Sequence, residues 1–338
     1  VKPAARKVLI IRLSSIGDIV LTTPVVRCIR KQFPSAEIHY LTKSRYAMLI
    51  ESNPYIDRIW RFDDNLGELI TLLKKEKFSF IVDLHRNLRS HYMRLMIAAP
   101  GATFPKLNLL KWLIVNLKVN RLPEVHIVDR YFRACAPLGV KNDGKGLDYF
   151  IPAGSEVKAE ELPTAHREGF VAVVTGGKHG TKIFPAGKII EVCRELKRPV
   201  VILGGPEDRH RGDEVAASLG PLIFNACGKF DLNQSASLVR QSLVVLTNDT
   251  GLMHIAAAFR KSIVSVWGNT IPAFGMYPYM PGKSANSYLA EVNGLNCRPC
   301  SKLGYERCPR QHFRCMNDID SHEIAMTLQR MINKHTGR

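Results

Sequence analysis

Thr247-Asn248-Asp249-Thr250-Gly251-Leu252-Met253-His254 sets polar, anion-seeking groups directly after an apolar run, Leu243 to Leu246. That order reads as a buried strand ending in a turn that opens a helix. Asp249 is suited to capping the helix, and Gly251 lets a backbone N–H approach a ligand closely. First-turn N–H groups and the helix dipole favour an anion, phosphate above all. An ordinary capped helix after a strand explains the same residues equally well.

Two further turns bear on that choice. Thr175-Gly176-Gly177-Lys178-His179-Gly180-Thr181-Lys182 carries three glycines and two lysines after the run Phe170 to Val174. It suits either a diphosphate cradle or a solvated surface loop. Gly204-Gly205-Pro206-Glu207 follows Val200 to Leu203. Glu207 stands where an acidic residue accepts ribose hydroxyls in dinucleotide folds, or where a turn exposes a glutamate. Neither turn has Walker A or G-x-G-x-x-G spacing, which argues against hydride transfer.

Asp18 comes just past the run Val8-Leu9-Ile10-Ile11 and behind Gly17. It is either the N-cap of a helix or a carboxylate at the sheet edge placed to act as general base. Asp318-Ile319-Asp320 has the form of a metal-holding D-x-D, but Asp320 with Glu323 looks like a capping arrangement, and no metal is expected there. Four of the eight cysteines, Cys297, Cys300, Cys308 and Cys315, cluster with one Cys-x2-Cys pair. Structural zinc, free thiols and redox pairing all remain open, and none implies chemistry on a substrate.

Such groups need a scaffold that brings strand ends together. Ile19 to Phe33 reads as a helix with Pro24 near its first turn, Ile38 to Leu41 as a strand, Leu66 to Lys77 as a helix and Phe80 to Asp83 as a strand. A composition break spans Lys141 to Gly146 and Ile151 to Gly154. Beyond it a second series begins, with strands at 170–174, 200–203, 222–224 and 243–246 and a helix over 186–196. Alternation of this kind means βαβ units and parallel sheets. The expectation is an α/β chain of two doubly wound, Rossmann-like domains facing a central cleft, with ligand beyond the carboxyl ends of the strands. Residues 1–150 form the first domain, 151–320 the second, and 321–338 a C-terminal helix.

At 338 residues and 46% hydrophobic content the chain can fill two cores. No window approaches the ~20 apolar residues of a membrane span, and no secretory signal is recognisable, so a soluble cytoplasmic protein is expected. Val1 is an unusual first residue and leaves a trimmed start open. Lys and Arg number 48 against 30 Asp and Glu, a net charge of +18. That excess suggests a phosphorylated substrate, an anionic lipid surface or nucleic acid, but no nucleic-acid-binding signature accompanies it, and nucleic acid is not expected.

Arg12-Leu13-Ser14-Ser15-Ile16-Gly17-Asp18-Ile19-Val20-Leu21-Thr22-Thr23-Pro24, Lys182-Ile183-Phe184-Pro185 and Asp249 to Ala258 together resemble the lipopolysaccharide heptosyltransferase family, glycosyltransferase family 9. The likeness runs along most of the chain, and the cysteine stretch resembles one in the family's second-heptose branch. The resemblance implies a GT-B type fold and inverting transfer from ADP-heptose to a lipid-linked saccharide core. Asp18 would be the base. Lys182, the Thr250 hydroxyl and the Gly251 N–H would stabilise the departing diphosphate without a metal or other cofactor. Thr181 would add a hydroxyl contact, Glu207 would hold the ribose, and Phe230 would lie on the adenine or in the core. Asp249 would sit near the donor sugar or cap its helix, and His254 would buttress the loop.

Ser15, Gly17, His85, Arg86 and Arg89 would meet the acidic acceptor, although the last two suit a solvated helix face as well. The implied workplace is the inner face of the bacterial inner membrane, with anionic lipid drawing the basic protein as a peripheral partner. Leu107 to Leu117, with Trp112, is either an interfacial helix or a packed amphipathic one. The C-terminal helix would cross back onto the first domain. Phe184 replaces a tryptophan common in the family, and the 176–180 turn is more basic than usual, which leaves room for another nucleotide-sugar donor. Rivals are an epimerase of this fold and a non-catalytic basic protein of membrane or nucleic-acid surfaces.

Overall fold

The computed structural model describes residues 6–282 and 286–336. The chain divides into two compact units. The first takes the described residues up to Leu107 together with Val125–Pro152, and the second takes Asn108–Glu124 and the described residues from Ala153 onward.

The first unit runs β1 (Lys7–Ile11), α1 (Ile16–Val20), α2 (Thr23–Gln32), β2 (Glu37–Lys43), β3 (Arg58–Phe62), α3 (Leu66–Lys75), β4 (Phe80–Asp83), α4 (Leu88–Ile97) and β5 (Gly101–Thr103). The chain then leaves for α5 (Asn108–Leu117), part of the second unit, and returns for α6 (Ile127–Tyr131). All strands pair in parallel, in the order β3-β2-β1-β4-β5. The central β1 is buried from Val8 to Ile11, as an apolar run covered on both faces must be. The helix expected over 19–33 is instead two. Pro24 occupies the first turn of α2, and with no N–H to continue a preceding helix it enforces a break at Leu21-Thr22.

The second unit runs β6 (Val171–Val174), α7 (Ala186–Leu196), β7 (Val200–Leu203), α8 (Arg209–Leu219), β8 (Ile223–Asn225), α9 (Leu232–Gln241), β9 (Val244–Asn248), α10 (Gly251–Ala258), β10 (Ile263–Trp267), β11 (Ser287–Glu291), α11 (Arg314–Asn317) and α12 (Ser321–Thr336). Its six parallel strands are ordered β11-β10-β9-β6-β7-β8. The switch point falls between β9 and β6, where a doubly wound sheet opens its ligand crevice.

In two places the compact units divide the chain differently from the composition break. Residues Asn108–Glu124 belong to the second unit because α5 is anchored there. Lys118 Nζ donates to the carbonyls of Cys297 (3.3 Å) and Pro299 (2.8 Å), Lys302 Nζ reaches Asn108 Oδ1 at 2.6 Å, and the Lys111 ammonium lies 5.5 Å from the Phe274 ring centroid. The C-terminal helix, expected to cross back to the first domain, packs on α7. Ile324, Ala325, Leu328 and Ile332 enter the second unit's core, and Ser321 Oγ donates to Glu191 at 2.7 Å. Asp320 accepts the Glu323 N–H at 3.1 Å and Asp318 accepts from Arg314 at 2.7 Å, so both carboxylates of the D-x-D are engaged in local structure.

Candidate functional site

In the first unit the site is built where β1 and β4 end. Residues 12–15 leave β1 in an extended path, and Ser15, not Asp18, is the N-cap of α1. Asp18 stands at the third helical position, where both carboxylate oxygens are held. Oδ1 meets Arg12 Nη2 at 2.6 Å, and Oδ2 accepts the Ser15 hydroxyl at 2.8 Å and the Ser15 N–H at 3.3 Å. The Asp18 side chain keeps 22% of its surface open. Ser15 is exposed and Gly17 buried.

Arg12 is the residue that reading the sequence missed. Its buried guanidinium also donates to Leu84 O (2.5 Å), Tyr131 Oη (3.2 Å) and Ser14 O (2.7 Å), tying the end of β4 to the Asp18 turn. Burial opposes its charge, but Asp18 and the phenols of Tyr131 and Tyr40 outweigh that and raise its pKa. The only advance signal was an arginine at the end of an apolar run.

The β4 to α4 connection is set by Asp83, which accepts the N–H groups of His85 (2.9 Å) and Arg86 (2.8 Å) and the Ser90 hydroxyl (2.9 Å). His85 is half-buried, and burial, with the charges of Arg12 and Lys106, pushes its pKa down to about 3. Its Nδ1 has no hydrogen-bond partner among the described residues. Arg86 and Arg89 are exposed. Arg86 donates to Phe104 O at 2.6 Å, and Arg89 lies 5.4 Å from the Phe62 ring centroid. Asp18 and His85 interact electrostatically, so these sequence-distant residues share one end of the sheet.

In the second unit three turns stand side by side because their strands are neighbours: Val174 pairs with Leu203 on one side and Thr247 on the other. Asn248, buried at the end of β9, joins them. Its Oδ1 accepts the Phe184 N–H at 3.1 Å, and its Nδ2 donates to the carbonyls of Thr175 (3.5 Å) and Gly176 (3.4 Å). Lys182 Nζ donates to Asp249 Oδ2 at 2.5 Å, and Thr270, beyond β10, donates to the same oxygen at 3.1 Å.

Asp249 is therefore turned to Lys182 rather than capping α10. Thr250 is the N-cap, with no side-chain cap bond, and its hydroxyl lies 3.4 Å from that of Thr247. Gly251 begins α10 half-exposed, and His254 is buried one turn later. Thr181 is buried, and its hydroxyl donates to Tyr305 O (3.0 Å) while accepting the Tyr305 N–H (2.8 Å), so it fastens the turn to the 305 segment. Gly180 is needed at that junction, since a Cβ there would lie 2.1 Å from Glu306 O. Phe184 is 2% exposed within the second unit's core rather than open at the turn.

The turn after β7 depends on a second missed residue. Buried Asp208 accepts the Gly205 N–H at 3.0 Å and pairs with Arg211 at 2.8 Å. Glu207 is exposed and folds over Gly205, where a Cβ would lie 2.3 Å from its carboxylate. Phe230 is half-buried just beyond β8, before the α9 cap Asp231.

All eight cysteines are unpaired. Cys297 Sγ lies 3.9 Å from His312 Nε2, and burial raises the pKa of Cys300 and Cys315. Arg298, between Cys297 and Cys300, donates to Gly268 O (2.5 Å), Val292 O (2.6 Å) and Glu291 (2.7 Å), so the segment braces the ends of β10 and β11. A 510 Å³ cavity beside it is lined by Ile114, Lys118, Ile271 and Glu291 and involves none of the turn residues above. Among the described residues, one trio brings metal-ligating atoms within 4.8 Å of one another, Glu37, His39 and Glu76. The Lys7 ammonium meets both carboxylates there, at 3.0 and 2.7 Å, at the opposite strand ends from Asp18.

Comparison with known proteins gives this arrangement a family. The model of glycosyltransferase family 9 (heptosyltransferase) matches residues 66–304, a span that includes the three turns and not Asp18. The lipooligosaccharide heptosyltransferase 2 of Haemophilus influenzae is 22% identical over 322 residues, covering 88% of this chain and 92% of that protein. The solved ADP-heptose LPS heptosyltransferase II of Escherichia coli superposes with a TM-score of 0.74 at 18% identity, covering 98% and 99% of the two chains. A family 9 glycosyl transferase from Veillonella parvula gives 0.75 at 21% identity, covering 99% of each.

Proposed function

Because the chain belongs to glycosyltransferase family 9, the heptosyltransferases, we propose that it transfers heptose from ADP-heptose to an acidic, lipid-linked lipopolysaccharide core with inversion. In one displacement the acceptor oxygen bonds to the anomeric carbon, the bond from that carbon to the diphosphate oxygen breaks, and the acceptor proton passes to Asp18. Arg12 and Ser15 hold the carboxylate in place, and lone pairs remain on both its oxygens for that proton. His85, neutral at working pH, accepts or donates one hydrogen bond to the acceptor, and Arg86 and Arg89 meet its anionic groups.

The observation that carries the donor half is the Lys182 ammonium fixed by Asp249 beside the N-terminus of α10. An ammonium has three N–H donors, so one pointed at Asp249 leaves two for a diphosphate. The Thr250 hydroxyl and Gly251 N–H add dipoles where negative charge grows as ADP departs, and together they serve in place of a divalent cation. Glu207 holds the ribose, Phe230 the adenine face, and Thr181 and His254 support the loops. The +18 charge suits work at the anionic inner face of the inner membrane.

Calorimetric titration with ADP, UDP and GDP in chelator tests the reading, alongside Lys182→Ala and Glu207→Ala. Selective ADP binding that weakens about tenfold or more in both variants is expected. Preference for UDP or GDP keeps the transferase and rejects the heptose donor. Loss of binding in chelator, restored by a divalent cation, rejects the metal-free site.

A further inference from the structure

From Leu84 to Lys106 the chain carries four Lys or Arg, two His and no Asp or Glu. All of α4 lies in this stretch, and its two faces are both apolar. Ser90, Met93 and Ile97 form the inner row and are buried. On the opposite side Leu88, Tyr92 and Leu95, spaced i, i+4 and i+7, are 91%, 49% and 65% exposed, with Met96 beside them at 37%. A helix in water normally carries charge on that outer side. Here charge borders the stripe instead: Arg86 and Arg89 meet a carbonyl and an aromatic ring, neither of which cancels a positive charge.

We propose that the outer face of α4 is a membrane-docking surface that seats Leu88, Tyr92 and Leu95 in the headgroup layer of an anionic bilayer. A short apolar stripe alone binds a neutral interface marginally, and the attraction of basic residues to anionic lipid makes the second signal that holds it. Acidic protein partners would satisfy the arginines, but a bilayer also accepts the aliphatic stripe without a shaped groove. The surface is continuous with the acceptor turn, since His85 and Arg86 immediately precede α4. An acceptor anchored in the same leaflet would thus present its saccharide close to Asp18. That last step rests on the reading proposed above, whereas docking rests on the helix face itself.

The experiment is co-sedimentation of the full chain with phosphatidylglycerol/phosphatidylethanolamine vesicles and with phosphatidylcholine vesicles, with ADP affinity measured in parallel. Wild type should bind the anionic vesicles, lose affinity as salt rises, and ignore the neutral ones. L88D/L95D should bind at least about tenfold more weakly, while Leu303→Asp, in the second unit and about as exposed as Leu95, should bind as wild type. An unchanged far-ultraviolet circular dichroism spectrum and thermal unfolding profile of L88D/L95D show that the first unit, which carries α4, is folded. Full vesicle binding by L88D/L95D overturns the proposal, and its loss in Trp112→Asp instead assigns docking to α5. Self-association without lipid that disappears in L88D/L95D overturns it in favour of a second copy of this chain. Vesicle binding without ADP binding would leave the surface standing and remove the donor reading; the reverse would do the opposite.

Discussion

Asp18 and Lys182 are charged groups each held by a partner of opposite sign, Arg12 at 2.6 Å and Asp249 at 2.5 Å. A held carboxylate gains a fixed direction, which matters when the reacting atoms must align within a fraction of an ångström. The pairing also separates two experiments. Asp18→Asn keeps the shape and removes the proton acceptor, so kcat should fall by about 10²–10⁴ with ADP affinity unchanged. Arg12→Met keeps Asp18 but frees it, and should lower kcat by about tenfold or more. It should also destabilise the fold by about 1–3 kcal/mol, because the Leu84 carbonyl loses its donor. Steady-state kinetics and denaturant titration of both variants check this. An Asp18→Asn enzyme with wild-type turnover would remove it as base, and full activity in Arg12→Met would make Arg12 a purely structural group.

The connection between β4 and α4 shows how an element's end creates chemistry and a pH dependence. Asp83 curls the chain through His85 and Arg86, leaving the imidazole half-buried beside the Arg12 and Lys106 charges. Protonation there is disfavoured in the folded state, with a pKa of about 3 against an ordinary 6.5. The folded pKa lies below the unfolded one, so the contribution is complete above about pH 6.5 and is lost as pH falls from there toward 3. Between pH 6.5 and 5 the melting temperature of wild type should therefore fall more steeply than that of His85→Gln. Parallel curves would mean that His85 is hydrated and titrates freely. The strands β1, β4, β6 and β7 and the helix α7 were legible in the sequence, because the strands are continuous apolar runs and α7 has a clear periodic face. The edge strand β3 was not, since the exposed Arg58 and Arg61 leave Trp60 and Phe62 as its only buried residues. The turns of the candidate site were visible as glycine and charge, but the residues that shape them were not. Arg12 and Asn248 act through backbone carbonyls of sequence-distant turns, and no spacing rule marks such a contact in advance; Asp208 acts locally, on the Gly205 N–H three residues back.

At the scale of the whole molecule, each unit has its own parallel sheet and its own core. The excursion through α5 complicates the division that composition suggested. Residues 108–124 lie within the first unit's sequence and are fastened to the second by Lys118, Lys302 and the cysteine segment, a placement that no local composition shift announces. If the donor binds entirely on the second unit, ligand should stabilise that body selectively. At ADP about 100 times its Kd the linkage is about 2.7 kcal/mol, and for a body of this size that raises a melting temperature by ~5–10 °C. Differential scanning calorimetry should then resolve two transitions, with ADP moving only the one that Glu207→Ala leaves unresponsive. A single transition that moves as a whole would mean that the units unfold as one cooperative body. Two transitions that both rise would place ADP contacts on the first unit as well, and the division of labour proposed between Asp18 and Lys182 would have to be redrawn.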